Sequence, residues 1–356
     1  MRLMLDYHRE KDFIVRQINS SETAELYGIE NKSTIHVIDK ELRIEILPTE
    51  IYHNYKTIKS NLENYLMDHG IVMQQEEDNS NSSTVPNVDS SLSDSETTIL
   101  NKIVNLTHVV FQADLEKALK LSLTTEVFKN PEIEGESLQA LRRYVAVVQK
   151  YSPLGAKGYD FFADLSNFIN SSSDGIDGTA YKEKIHELEN KTEIFDLHWV
   201  GCQGSAPNYR GYSCGLWTLF HYLTIRAANS IDDNDPIEVL STIEKYVKHF
   251  FGCTECAIHF QEMAVERDMW NVTTTDQAIL WLWKAHNIVN DRLSGDVTDD
   301  PLFPKIKFPS YRACQKCRSG FNFSENEVLL YLKDLYSDEK INNFGMESID
   351  EDNVSR

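Results

Sequence analysis

Along the chain the rhythm of hydrophobic and polar positions changes several times. Over residues 11–70 short apolar runs dominate. DFIVRQI, STIHVID and LRIEIL read as strands, SSETAELYGI as a helix opening on a serine cap, and IYHNYKTIKSNLENYLMDH as a longer helix with apolar residues near 3.6 spacing. Strand, helix, strand, strand, helix predicts part of an α/β domain over 1–73. Residues 74–97 (QQEEDNSNSSTVPNVDSSLSDSET) are too poor in apolar side chains to bury a core, and a disordered linker is expected there. From 98 to 195 the period is helical: ADLEKALKLSLTTEVF sets Leu115, Leu119 and Leu123 on one face, and SLQALRRYVAVVQKY does the same with Leu138, Leu141, Tyr144, Val148 and Tyr151. FFADLSNFI follows a Gly/Pro break. Four more helical stretches fill 196–336, and an acidic, disordered tail is expected over 337–356. The fold class is mainly α.

Charge and cysteines narrow the setting. A formal net charge of -21 repels phosphates and excludes a nucleic-acid partner. No run of eighteen apolar residues exists to span a membrane. Residues 1–12 (MRLMLDYHREKD) lack the apolar stretch of a signal peptide, so either the chain is cytosolic or its true start lies upstream. The six cysteines favour the second option: they form three local pairs, Cys202/Cys214, Cys253/Cys256 and Cys314/Cys317, with no thiol left over. Sequons at Asn19, Asn31, Asn81, Asn105, Asn170, Asn190, Asn271, Asn322 and Asn353 agree with a glycoprotein of the secretory pathway (Golgi or ER lumen) or the extracellular space.

The sharpest chemical signal is HFFGCTECAIHF. A CxxC whose second cysteine opens a helix is a good setting for a redox dithiol, because the helix N-terminus stabilises a thiolate. His259 follows Cys256 on the same face, although a lone helical histidine is more often a packed surface residue. CTEC and CQKC together would also offer the four thiolates of a structural zinc site, but Cys202/Cys214 would then be left over. Two further helices mix aromatic and polar residues: LWTLFHYL, with Trp217 and His221 at i and i+4, and LWLWKAHNIVNDRL, with Trp283, His286, Asn287 and Asn290. Aromatic stripes are usually core. Here each carries a polar residue whose burial without a partner costs about 1–3 kcal/mol, and a flat heteroaromatic ligand would answer it. No GxGxxG follows a strand, so a Rossmann-type site is not in play.

YRGYSCGLWTLFHYLT, HFFGCTECAIHF, LWLWKAHNIVNDRL, DPLFPKIKFP and CQKC occur in an order that resembles the quiescin sulfhydryl oxidases, over about 98–336 and more faintly over 1–70. The resemblance implies an Erv/ALR-type helical bundle binding FAD over 196–336, a degenerate copy of that bundle over 98–195, and an incomplete, redox-inactive thioredoxin-like domain over 1–73. It implies that Cys253 exchanges with the incoming dithiol and that Cys256 faces the isoalloxazine. Arg210, Trp217, His221, Glu255, His259 and Trp283 fall at FAD-contacting positions, as do Lys284, His286, Asn287, Asn290, Lys305 and Phe308. Cys202–Cys214 looks like a structural staple, and Cys314–Cys317 like the family's extra CxxC.

The implied reaction is oxidation of reduced proteins or small dithiols, with molecular oxygen reduced to hydrogen peroxide. No metal is called for. A monomer is expected, because the cysteine-free helices can cover the apolar face through which such bundles dimerise. The sequence departs from the family at Phe308, where tryptophan is expected, and at Ser33, where thioredoxin folds carry a cis-proline. No cysteine precedes Cys202, so the chain reads as a truncated form or a shortened gene model. The rival from another class is a non-enzymatic helical interaction module held by zinc or inert disulfides.

Overall fold

A computed structural model describes residues 35–38, 44–47, 94–103, 108–192, 197–230, 235–311, 313–319 and 322–346. They fall into two compact units, Met1–Thr84 with Asn287–Val328, and Val85–His286 with Leu329–Arg356.

In the second unit, α1 (Asp94–Ile103) and α2 (Gln112–Leu123) precede a 3-10 turn (Val127–Lys129). A two-stranded antiparallel sheet, β3 (Glu132–Glu134) with β4 (Gly175–Asp177), then ties together the starts of α3 (Gly135–Lys150) and α5 (Gly178–Thr192), with α4 (Gly158–Ser171) between. Gly135 makes the turn from β3 into α3 at φ +53°, where a side chain would be strained. Reciprocal bonds cap α3: Glu134 N–H donates to Ser137 Oγ (3.1 Å), and that hydroxyl donates to Glu134 O (2.8 Å). Next come α6 (Gly211–Asn229), α7 (Glu238–Phe250), α8 (Thr254–Glu266) and α9 (Thr275–Leu293), which belongs to this unit as far as His286.

The apolar faces read from the sequence meet in two layers. α2 lies on α6 and α3 lies on α7. Leu115, Leu119, Leu138, Leu141, Tyr144 and Val148 are all buried, each side chain contributing about 1.5–3 kcal/mol. Tyr144 of α3 stacks on Tyr246 of α7 at 4.2 Å between centroids. Their hydroxyls are met as well: Ser122 Oγ lies 2.6 Å from Tyr144, and Tyr246 donates to Ser122 O at 3.0 Å. Gly215 lets α6 approach closely, since a Cβ there would strike the Trp199 ring and come within 3.1 Å of Ala118 Cβ.

Three boundaries differ from the sequence reading. Of the linker expected over 74–97, residues 94–97 belong to α1 and the rest lie outside the described residues. Of the tail expected to be disordered over 337–356, residues 337–346 are ordered and the rest lie outside the described residues: Asn342 accepts from Gln112 N–H and donates to Val110 O, both at 2.9 Å, and Gly345 packs on Val200. Residues 98–195 and 196–286 do not separate, because the α2–α6 and α3–α7 contacts make them one unit.

In the first unit, β1 (Ile35–Ile38) and β2 (Ile44–Leu47) pair antiparallel, with Ile35 opposite Leu47. The strand read at DFIVRQI and the helices at SSETAELYGI and IYHNYKTIKSNLENYLMDH lie outside the described residues. The 287–328 part holds the end of α9, a loop, the two-residue strands β5 (Arg318–Ser319) and β6 (Asn322–Phe323), and the start of α10 (Glu325–Leu335).

Candidate active site

The turn Phe251–Gly252 ends α7, and Cys253 caps α8 in an extended conformation (φ -92°, ψ 97°) with its Sγ accepting from Cys256 N–H at 3.2 Å. Cys253 and Cys256 are joined as a disulfide, and both are half-buried. The first turn of a helix presents unpaired N–H groups and the positive end of its dipole, which stabilises a thiolate released there.

One turn beyond Cys256, on the same face, Phe260 enters an aromatic cluster. Its ring centroid lies 6.3 Å from Trp217 on α6 and 6.2 Å from Trp281 on α9. Trp281 donates its indole N–H to Arg267 O (2.8 Å), fixing α9 to the end of α8. Trp217 stacks on His286 at 4.2 Å, the planes 5° apart. His286 Nδ1 lies 3.0 Å from Nε2 of buried His221, so one of the two nitrogens donates to the other. Burial holds His221 down at about 4, and burial followed by the His221 charge holds His286 well below the usual histidine value. Both rings are therefore neutral at physiological pH. The second His221 nitrogen, Nδ1, is buried with no hydrogen-bond partner.

The remaining residues picked from the sequence are placed elsewhere or otherwise engaged. Trp283 is buried, Lys284 and Glu255 are exposed, and His259 stands on an exposed side of α8 with Nδ1 3.5 Å from Glu262. Arg210, at φ +58° ahead of α6, donates to Gly201 O and lies 3.6 Å from Cys214 Sγ. It therefore braces the Cys202–Cys214 disulfide. In the first unit, Asn287 clamps the backbone of Phe308, accepting from its N–H (2.7 Å) and donating to its carbonyl (2.9 Å). Asn290 donates to Ile306 O (3.2 Å), and Lys305 donates to Thr298 O (3.0 Å) with Asp299 at 3.6 Å. Arg318, next to the Cys314–Cys317 disulfide, holds Lys307 O and Pro309 O. Each CxxC is closed on itself, which leaves a four-cysteine zinc site no thiolates.

Asp114 is the residue missed from the sequence. Its buried carboxylate accepts from Val200 N–H (2.7 Å) and Cys202 N–H (3.0 Å). Desolvation raises its pKa to about 6 against the pull of those N–H groups and of Arg210. The available signal was an aspartate on the otherwise apolar face of α2, between Ala113 and Leu115.

Comparison with known proteins now decides the family. Residues 107–205 match the family described as flavin adenine dinucleotide (FAD)-dependent sulfhydryl oxidase, and residues 214–309 match the Erv1/Alr family. Sulfhydryl oxidase 1 of Gallus gallus is 40% identical over 238 residues, covering 64% of this chain and 32% of its own. Sulfhydryl oxidase 2 of Homo sapiens is 38% identical over 244 residues, covering 64% and 34%. The solved sulfhydryl oxidase fragment of human QSOX1 matches with a TM-score of 0.62 at 36% identity, over 66% of this chain and 98% of the fragment. The chain belongs to the FAD-dependent sulfhydryl oxidase family.

It spans about a third of the length of the curated relatives it matches. The cofactor of the family is FAD, and the second unit offers what such a group requires. Indole and imidazole faces suit a flat heteroaromatic ring, and His221 Nδ1 is a buried nitrogen still owed a partner.

Proposed function

We propose that this chain is a flavin-linked thiol oxidase that forms disulfides from dithiols at Cys253–Cys256. The observation that carries this reading is the half-exposed disulfide at a helix N-terminus, one turn from Phe260 and the Trp217–His286–His221 cluster.

A substrate thiolate attacks Cys253 Sγ. A new S–S bond forms, the Cys253–Cys256 bond breaks, and its electron pair leaves on Cys256, stabilised by the first turn of α8. The second substrate thiolate then attacks the substrate sulfur of this mixed disulfide, and Cys253 leaves as a thiolate that keeps the N–H of Cys256 as donor. When bound, FAD supplies two-electron acceptance from the reduced pair and delivery to oxygen, so that the sum is R(SH)2 + O2 → R(S–S) + H2O2, the two substrate sulfurs ending in one disulfide. Trp217, His221 and His286 would hold the flat part of the cofactor, with Phe260 and Trp281 of the same buried cluster excluding water and Trp283 joining the set by resemblance. Arg210, Glu255, His259, Lys284, Asn287, Asn290, Lys305 and Phe308 complete the set by resemblance. Asn287 and Asn290 act mainly by holding the 306–308 strand of loop in place.

Cys202–Cys214 is a staple, and Cys314–Cys317, with Cys317 fully buried, is not required for turnover. The absence of any free cysteine, and the exposed sequon asparagines Asn170, Asn190, Asn271 and Asn322, support the secretory pathway or the extracellular space as its location. Among the described residues no helix is long and apolar enough to cross a membrane. Coverage of α6 and α7 by α2 and α3 supports a monomer. The thioredoxin-like reading of 1–73 lies, apart from the β1–β2 pair, outside the described residues.

The test is a visible spectrum of the purified protein, followed by oxygen uptake with a small dithiol. Bound flavin and thiol-dependent uptake are expected; a colourless protein that takes up no oxygen overturns the reading.

A further inference from the structure

Gly252, the residue before Cys253, is not needed for its backbone angle, since its φ lies outside the left-handed range. Its value lies in what occupies the space beside it. A Cβ built there would collide with Lys129 Nζ and come within 3.2 Å of Glu126 Oε2. Both residues come from the cysteine-free helices, at the 3-10 turn Val127–Lys129. Lys129 Nζ bonds Glu126 Oε2 at 3.0 Å. The two ends of the pair differ in exposure: the Glu126 side chain is 5% exposed and that of Lys129 is 52% exposed. Glu126 is thus a buried tether that holds an ammonium group against the residue preceding the redox cysteine. The nearer of the two charges to Gly252 is the cation.

We propose that Lys129 is an electrostatic positioning residue for Cys253, favouring the approach of the substrate thiolate and the Cys253 thiolate that exchange releases. This rests on the thiol-oxidase reading above. In exchange, negative charge moves from the attacking sulfur through Cys253 Sγ to the leaving sulfur, so a cation held against Gly252, the residue before Cys253, favours every anionic species on that path. The role assigns the cysteine-free half a part in the chemistry. In the helix turns next to Cys253 the other charged groups are Glu255 in the first turn of α8, and Lys248 and His249 in the last turn of α7; Glu238, Glu244 and Lys245 lie further back on α7, and His259, Glu262 and Glu266 further along α8. Lys248 and His249 are both drawn to Glu136, at 2.9 and 3.5 Å. Lys129 is the cation whose head group reaches Gly252.

The pair gives the test a sign. In the full chain carrying Cys256→Ser, with the other two disulfides intact, the alkylation rate of Cys253 by neutral iodoacetamide is followed against pH by mass spectrometry. Lys129→Gln should slow alkylation about threefold at neutral pH and move the profile to higher pH, whereas Lys129→Arg should leave it in place. Glu126→Gln, which removes the opposing carboxylate, should move the profile the other way. High salt should shrink both shifts, since Lys129 is half-exposed. A purely structural contact would move both glutamine variants in one direction. Gly252→Ala, which displaces the Lys129 head group, should follow Lys129→Gln and supplies a second reading if that variant misfolds by circular dichroism. A Lys129→Gln profile superimposed on its parent, or a Glu126→Gln shift of the same sign, overturns the proposal. Flavin content and dithiol-dependent oxygen uptake of the unmutated chain are measured in parallel. Their absence sinks the oxidase reading by itself, while the alkylation profiles judge Lys129 separately.

Discussion

The cysteine-free helices and the helices that carry Trp217, Cys253 and His286 share one compact unit, yet they treat buried polar groups differently. In the first group the tyrosines are answered: Tyr144 by Ser122 Oγ, and Tyr181 by Leu123 O at 3.1 Å. Arg142 Nε is left over there, but its guanidinium donates to Ser172 O by another nitrogen. Among described residues of 108–192, Tyr159 is the large apolar side chain left exposed. In the second group His221 keeps a buried nitrogen with no partner, and Ile258, Val265 and Trp270 stand exposed on and just after α8. Helices whose buried tyrosine hydroxyls are met in this way serve as a frame, whereas an open imidazole nitrogen inside an aromatic cluster leaves room for a ligand.

Four measurements bear on that contrast. The largest effect belongs to the redox pair: Cys256→Ser should cut thiol-dependent oxygen uptake by more than about a hundredfold. Cys317→Ser should keep most of the uptake, and an inactive, folded, flavin-loaded Cys317→Ser protein would remove the ranking. Next comes the frame. Tyr144→Ala should cost about 3–5 kcal/mol, read as a lower melting temperature, because it empties a wholly buried site stacked on Tyr246.

The third is a response to pH, opposite in the two halves. His221 titrates at about 4 when folded against an ordinary 6.5, so its contribution is present above pH 6.5 and is lost as pH falls through 4; this amounts to about 3 kcal/mol, and His286 acts in the same sense. Asp114 is raised from 3.8 to about 6, so its contribution is complete below 3.8 and is lost as pH rises through 6. Chemical denaturation across pH 4–7 should therefore flatten at the acid end in His221→Gln and steepen there in Asp114→Asn. Equal slopes in both variants would contradict the assignment. The smallest effect is local: His286→Ala should lower flavin affinity about tenfold while leaving the helical circular dichroism intact.

Much of this arrangement could be read from the sequence, because much of it is local. The spacing of Leu115, Leu119 and Leu123 gives the buried face of α2, and CTEC at a helix start gives the disulfide on α8. What escaped depends on contacts between distant residues. Thr124 ends α2 earlier than the run ADLEKALKLSLTTEVF suggests, leaving a 3-10 turn that puts Lys129 at Gly252. The order in 337–346 comes from two backbone bonds of Asn342 to 110–112, which an acidic composition does not reveal. Asn287 has the polar character expected of a ligand residue, yet its amide is engaged by the Phe308 backbone. Periodicity shows that such a residue is buried and polar; only the fold shows what answers it.

The reach of Asp114 has a consequence for recombination. Its carboxylate is carried by α2, while the groups that bind it lie 86 and 88 residues further along the chain. In a chimera that takes α2 from one relative and the 200–210 segment from another, a buried acid can face a loop of the wrong shape, or two N–H groups can face no acceptor. The two segments behave as one heritable block, and exchanges that respect the block should fold where exchanges that cut through it fail.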